Sequence, residues 1–297
     1  MQLFGNMPPQ LFVFFAALLG LFVGSFLNVL IVRLPIILFQ SWEHEALAFL
    51  ANRAPHHLKI LPATNKVPEA PFNIAIPASH CPHCHHPIRY YDNIPLLSFL
   101  WLRGRCRDCH AAIHWRYPTV ELLSGLLSAW IAFHFGCTPQ AIAGLLLTWV
   151  LLAQTFIDLE NQLLMDDLTL PTLWLGLLLS LYPVFASPID CILGASLGYL
   201  FFWCLYWAFK GFTGKEAMGY GDFKLLALLG AWLGWKALPA IVLIASLCGS
   251  LVGLFLITFC GRNKNEPFPF GPYLAIAGWI TLNWQDRLVT WWLHLLS

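Results

Sequence analysis

Residues 11–32 read LFVFFAALLGLFVGSFLNVLIV, an apolar run without one charged side chain. About 20 apolar residues suffice for a helix to cross the hydrocarbon core of a bilayer. A cleaved signal peptide is a poor reading, because no basic residue precedes the run and an h-region has only about 7–15 residues. Arg33-Leu34-Pro35 follows, a charge and a helix stop. Further apolar runs lie at about 119–136, 140–157, 168–187, 190–209, 223–235, 237–260 and 271–293. The expected fold is therefore an all-α polytopic membrane protein of about eight transmembrane helices. The 223–235 run is too short to cross without tilt or bilayer thinning. Of the whole chain 59% is apolar and 10% charged, against about half and a quarter in soluble domains. That excludes a soluble enzyme and a disordered chain. A net charge of +1 also leaves no basic field to hold nucleic acid. The 14 Trp and 8 Tyr suit interfacial belts. No repeat of fixed period is visible.

Between the first and second runs lies one polar island. Residues 41–116 hold 8 of the 16 Lys and Arg and 9 of the 11 His. Placing the island in the cytoplasm and alternating the spans puts 14 basic residues inside and only Lys236 and Arg287 outside. That asymmetry sets the orientation, with the N-terminus periplasmic and residues 40–117 cytoplasmic. The expected divisions are 1–39, a first transmembrane helix; 40–117, a cytoplasmic domain; and 118–297, a helical membrane domain. Residues 43–75 read as an irregular insertion.

The island contains Cys81-Pro-His-Cys84 and Cys106-Arg-Asp-Cys109. Two C-x-x-C knuckles at this separation specify a tetrahedral thiolate site for one zinc ion. Four cysteines close the coordination shell, so the zinc is expected to be structural and to supply folding energy to a small domain. The remaining five cysteines, scattered singly in apolar runs, behave as small hydrophobes.

Acids gather where spans meet the cytoplasm: Asp158, Glu160, Asp166, Asp167, Glu216 and Asp222. Glu160 and Asp167 read as helix caps. Asp158 closes one span, and Asp222 follows Gly219-Tyr220-Gly221 and opens another. An ionisable group at membrane depth is by default a functional one. The Gly-x-Gly turn lets a second backbone, such as a peptide substrate, approach closely. Two aspartates brought together share a single proton, so one acts as general base toward water while the other polarises a carbonyl. Asp158 and Asp222 are thus the candidate catalytic pair of an aspartic peptidase.

With these motifs in hand the chain resembles the bacterial type IV prepilin peptidases, which combine a leader peptidase with an N-methyltransferase. The resemblance rests on Gly24-Ser-Phe-Leu-Asn28, Arg33-Leu-Pro35, both cysteine pairs, Arg103-Gly-Arg-Cys106, Phe156-Ile-Asp158, Asp166-Asp-Leu-Thr-Leu-Pro171, Met218-Gly-Tyr-Gly-Asp222-Phe-Lys224 and Pro269-Phe-Gly-Pro272. It implies a bacterial inner-membrane enzyme, with Asp158 and Asp222 as its catalytic aspartates. Its substrates would be prepilins and type II secretion pseudopilins, cut at the cytoplasmic face, and its methyl donor S-adenosyl-L-methionine. No Rossmann fingerprint marks the donor site, for which Gly104 and the knuckles are candidates. One departure is Met165, where the family usually has proline. A different class of function, a proton- or ion-coupled transporter using Asp158 and Asp222, would predict acids near the midplane and an internal repeat.

Overall fold

The computed structural model describes residues 8–53, 72–215, 218–261 and 268–296. Among these residues the fold is all-helical and no strand is formed. In chain order the helices are α1 (Pro9–Arg53), α2 (Leu97–Trp101), α3 (Arg116–Phe135), α4 (Pro139–Asn161), α5 (Asp166–Leu179), α6 (Pro188–Thr213), α7 (Tyr220–Leu233), α8 (Leu238–Phe259) and α9 (Gly271–Leu296), with short 3-10 turns at Tyr90–Asn93 and Trp235–Ala237. Four segments are long and apolar enough to cross a membrane: Pro9–Leu50, Pro139–Asn161, Pro188–Thr213 and Trp235–Phe259. On α6 and α8 large side chains such as Leu193, Leu197, Phe201, Leu247, Leu251 and Phe255 face outward. A water-soluble monomer does not expose apolar surface on this scale.

The sequence expectation fails at Pro35 and in the insertion. Helix α1 runs through Pro35 and ends only at Arg53, so residues 43–53 are helical and the expected boundary at residue 39 falls inside a helix. A proline removes one N–H from the ladder, and membrane helices absorb that loss by local adjustment. Arg33 is not an interfacial stop either. It is buried, and its guanidinium donates to the carbonyls of Asn73, Ile74 and Pro77. The rest of the insertion, 54–71, lies outside the described residues, as does Glu216.

The chain divides into two compact units, one of residues 21–122 and one made of the segment up to residue 20 together with residues 123 onward. In the second unit α7 is the axis. Every residue from Asp222 to Leu233 except Lys224 is buried; a helix apolar all round belongs in the centre of a bundle. Helices α6 and α7 come into backbone contact at Gly194 and Gly230. A Cβ on Gly230 would stand 2.2 Å from the Gly194 carbonyl oxygen, so no larger residue fits there. Trp232 locks α7 to α5 by donating its indole N–H to the Thr172 carbonyl at 2.8 Å. Helix α9 joins α4 through Trp279, whose indole N–H donates to Thr148 Oγ1 at 3.1 Å. Helix α9 kinks at Trp284.

Candidate functional site

The cysteine island is a pair of superposable turns. In the first, the Cys81 N–H donates to the His86 carbonyl and the His85 N–H to that of Cys81; in the second, Cys106 and His110 do the same with Ala111 and Cys106. His85 and His110 both take positive φ, 57° and 58°. The isolated bridges His80–Pro87 and Arg105–Ala112 complete the match. This internal repeat, offset by 25 residues from Cys81 to Cys106, escapes the sequence because only the cysteines, the following histidine and one isoleucine (Ile88 and Ile113) are common to both copies. The four sulfurs lie within 4.8 Å of one another, so the cluster can hold a metal ion. All nine cysteines are free thiols. Cys81 Sγ and Cys109 Sγ are 3.8 Å apart. That is far beyond a disulfide of about 2.05 Å, and it equals the edge of a tetrahedron with zinc–sulfur bonds of about 2.3 Å. Hydrogen bonding from the Cys84 N–H is the main influence that draws the Cys81 thiol down to about 6, while desolvation and the neighbouring sulfurs push the Cys84 and Cys109 thiols up. Nearby, Arg107 Nε donates to Asp92 Oδ2 at 2.8 Å and ties the second knuckle to the turn before α2. Asn28 donates to the Tyr117 carbonyl at 3.1 Å, and the Leu96 N–H to Glu121 at 2.9 Å.

The aspartates belong to the other unit. Asp158 sits in the last turn of α4 and Asp222 in the first turn of α7. Both are buried, and they are close enough for their charges to interact. Gly271, first residue of α9, donates its N–H to Asp158 Oδ2 at 3.0 Å. Asp222 is the third residue of α7 after the Gly219 N-cap, and its own N–H donates to the Gly219 carbonyl at 3.3 Å.

The glycines act differently from the sequence expectation. A Cβ on Gly221 would stand 2.8 Å from Leu164 Cβ, and one on Gly271 would stand 2.6 Å from Asp158 Oδ2 and 3.0 Å from Leu164 Cδ2. The room at Gly221 is thus filled by Leu164, and only Gly219 faces open space. Lys224, two residues beyond Asp222, grips Asp166 with Nζ at 2.6 and 2.8 Å from its two oxygens. Asp167 lies in the first turn of α5, as expected of a cap. Glu160 lies in the last turn of α4, where the helix dipole disfavours an acid, so it does not act as a cap. Sequence reasoning missed Gln154, Leu164 and the role of Gly271. The Phe-Gly-Pro step before α9 is the one signal that could have pointed to the last.

The profile of the bacterial peptidase A24 N-terminal domain matches residues 18–135, and that of the type IV leader peptidase family matches residues 145–254. The chain is 53% identical over 285 residues to a prepilin leader peptidase/N-methyltransferase of Aeromonas hydrophila, covering 96% of this chain and 95% of the relative. The chain belongs to the type IV leader peptidase family. Its similarity to the proteins of the same name from Stutzerimonas stutzeri, 51% over 286 residues, and Pseudomonas aeruginosa, 49% over 286 residues, again covers 96% of this chain and 95% of each relative. No solved structure matches the chain. Both units carry part of the family match, the cysteine island within the N-terminal profile and the two aspartates within the peptidase profile. Nothing in these comparisons supports the transporter reading.

Proposed function

We propose that the chain removes the leader peptide from type IV prepilins and type II secretion pseudopilins by an aspartic-peptidase reaction. It then N-methylates the residue newly exposed. The observation that carries the peptidase reading is the burial of Asp158 and Asp222 close to each other, with the Gly271 N–H held by Asp158, in a chain that matches relatives of that name over 96% of its length. With one proton shared, the ionised aspartate takes a proton from water as its oxygen attacks the scissile carbonyl carbon. The protonated partner gives its proton to the carbonyl oxygen. Collapse of the tetrahedral adduct breaks the C–N bond as one adduct hydroxyl returns its proton to the second aspartate and the proton held by the first passes to the leaving amine.

Several parts of this reading rest on the sequence. Eight spans, a cytoplasmic island at 40–117 and a periplasmic N-terminus follow from the apolar runs and the basic asymmetry. With the family resemblance, they support a reading of the protein as a bacterial inner-membrane enzyme with the aspartates at its cytoplasmic face. Cys81, Cys84, Cys106 and Cys109 would hold one structural zinc, whose chemistry is to fix two knuckles as one fold. S-adenosyl-L-methionine enters as the second substrate and gives its methyl group to the new amine. Gly104, at φ +69° beside the Phe99 ring, and the adjoining knuckles are the candidate donor region.

The test is to incubate the protein, purified in lipid nanodiscs, with a prepilin and S-adenosyl-L-methionine and to read the product N-terminus by mass spectrometry. A leaderless, singly methylated product is expected. An intact prepilin, with the protein shown to be folded, contradicts the proposal.

A further inference from the structure

Gln154 is fully buried on α4, one turn before Asp158. Its carboxamide is used on both sides. Oε1 accepts the Met165 N–H at 3.0 Å, while Nε2 donates to the Met165 carbonyl at 2.9 Å and to Thr169 Oγ1 at 2.6 Å. A side chain thus pairs with a backbone unit, holding the turn that enters α5 against α4. Met165 is the N-cap residue of α5 and has no capping side chain of its own.

The residues on either side of Met165 reach the aspartates. Leu164 is the wedge against which both Gly221 and Gly271 close. Gly221 precedes Asp222, and Gly271 holds Asp158 through its N–H. On the other side, Asp166 is gripped by Lys224. The turn at 164–166 therefore touches the residue before Asp222, the residue that donates to Asp158 and the lysine two residues beyond Asp222, and Gln154 fastens that turn.

We infer that Gln154 and Met165 form a matched pair that positions Asp158 against Asp222. Gln154 is a positioning residue and touches no substrate. The inference rests on the reading of Asp158 and Asp222 as the catalytic pair. It gives the Met165 position a physical meaning: Gln154 Oε1 needs an N–H there, which proline lacks. The φ of Met165, −79°, is one that proline adopts. Met165→Pro therefore removes the N–H without forcing the backbone, and leaves Gln154 Oε1 buried and unpartnered. Gln154→Leu leaves the Met165 N–H in the same condition. The double variant leaves neither, because the Met165 carbonyl keeps the Thr169 N–H and hydroxyl.

The experiment is a double-mutant cycle on prepilin cleavage in nanodiscs, with kcat, KM and thermal unfolding measured separately. Each single variant should lose about ten- to a hundred-fold in kcat, the penalty of a slightly misplaced catalytic group, with KM little changed. Met165→Leu keeps the backbone N–H and nearly the volume of this buried side chain, so it should stay within a few-fold of wild type. The double variant should recover most of the lost kcat. A fully active Gln154→Leu, or a double variant no better than the two losses multiplied, overturns the inference. If both singles fail to fold, a folded and active double variant upholds the pairing, and failure of all three overturns it. Asp158→Asn separates the two claims. Full cleavage by that variant sinks the catalytic pair itself, whereas its inactivity alongside an uncoupled cycle sinks only the role of Gln154.

Discussion

In the cysteine island each pair of ligands comes from one tight turn, and the two turns are copies of each other. At the aspartate site the two acids stand 64 residues apart in sequence, on different helices, and come together against the start of α9 and the turn at Leu164. The island can be assembled from local hydrogen bonds plus one metal ion. The aspartate site depends on close backbone packing, on Leu164 between two glycines and on the Gln154 pairing. A fault in the island should therefore stay local, whereas a fault in the bundle should reach the chemistry.

The largest effect that separates the regions is expected at Gly230→Val. Its side chain would run into the Gly194 carbonyl, and both neighbours are backbone, which cannot yield. Forcing α6 from α7 should cost more than the about 1–3 kcal/mol of ordinary overpacking. Cleavage should be lost with the metal content unchanged. Cleavage at the wild-type rate would show that the α6–α7 contact does not govern the aspartates.

Next is the converse. Cys81→Ser, or the same change at Cys84, Cys106 or Cys109, should empty the site of its metal. The check is elemental analysis, with about one zinc per chain in wild type and little in the variants. Methylation should fall further than cleavage. Equal losses in both would mean that the island also supports the peptidase site. Wild-type protein purified with paired disulfides and no metal would remove the zinc proposal.

The two regions also differ in how far they could be read in advance. The cysteines, their spacing and the polar island around them announce a metal knuckle, because the ligands are neighbours in the chain. Asp158 and Asp222 could be singled out as acids at span ends. Their surroundings could not, since Gln154 and Leu164 carry no motif and Gly271 acts through its N–H alone. Helix α1 shows the limit of local rules, because Pro35 and Arg33 look like a stop and prove to be interior. The burial of α7 likewise comes from the helices around it, although its sequence is apolar from Leu225 onward.

Smaller effects refine the contrast. Glu160→Gln and Asp167→Asn should keep substantial cleavage, since the proposed reaction draws its protons from Asp158 and Asp222 alone. Loss in either variant would widen the catalytic set. The smallest effect concerns Asp92, whose carboxyl is held below its usual range, first by its hydrogen bond to Arg107. A depressed carboxyl stabilises the fold above the ordinary value of about 3.9, and that contribution fades as pH falls through the lower folded value. Thermal unfolding of the wild type should lose this increment in acid, and Asp92→Asn should lack it at every pH. An unchanged acid profile in Asp92→Asn would show that the ion pair is without weight.

The central claim is that two aspartates from different helices act as one proton-sharing pair. It is tested most directly by cleavage of a prepilin by Asp158→Asn and Asp222→Asn, each purified in nanodiscs with wild-type metal content and unfolding temperature. Both variants should form no leaderless product while still holding their metal. Cleavage at the wild-type rate by either one would contradict the pair.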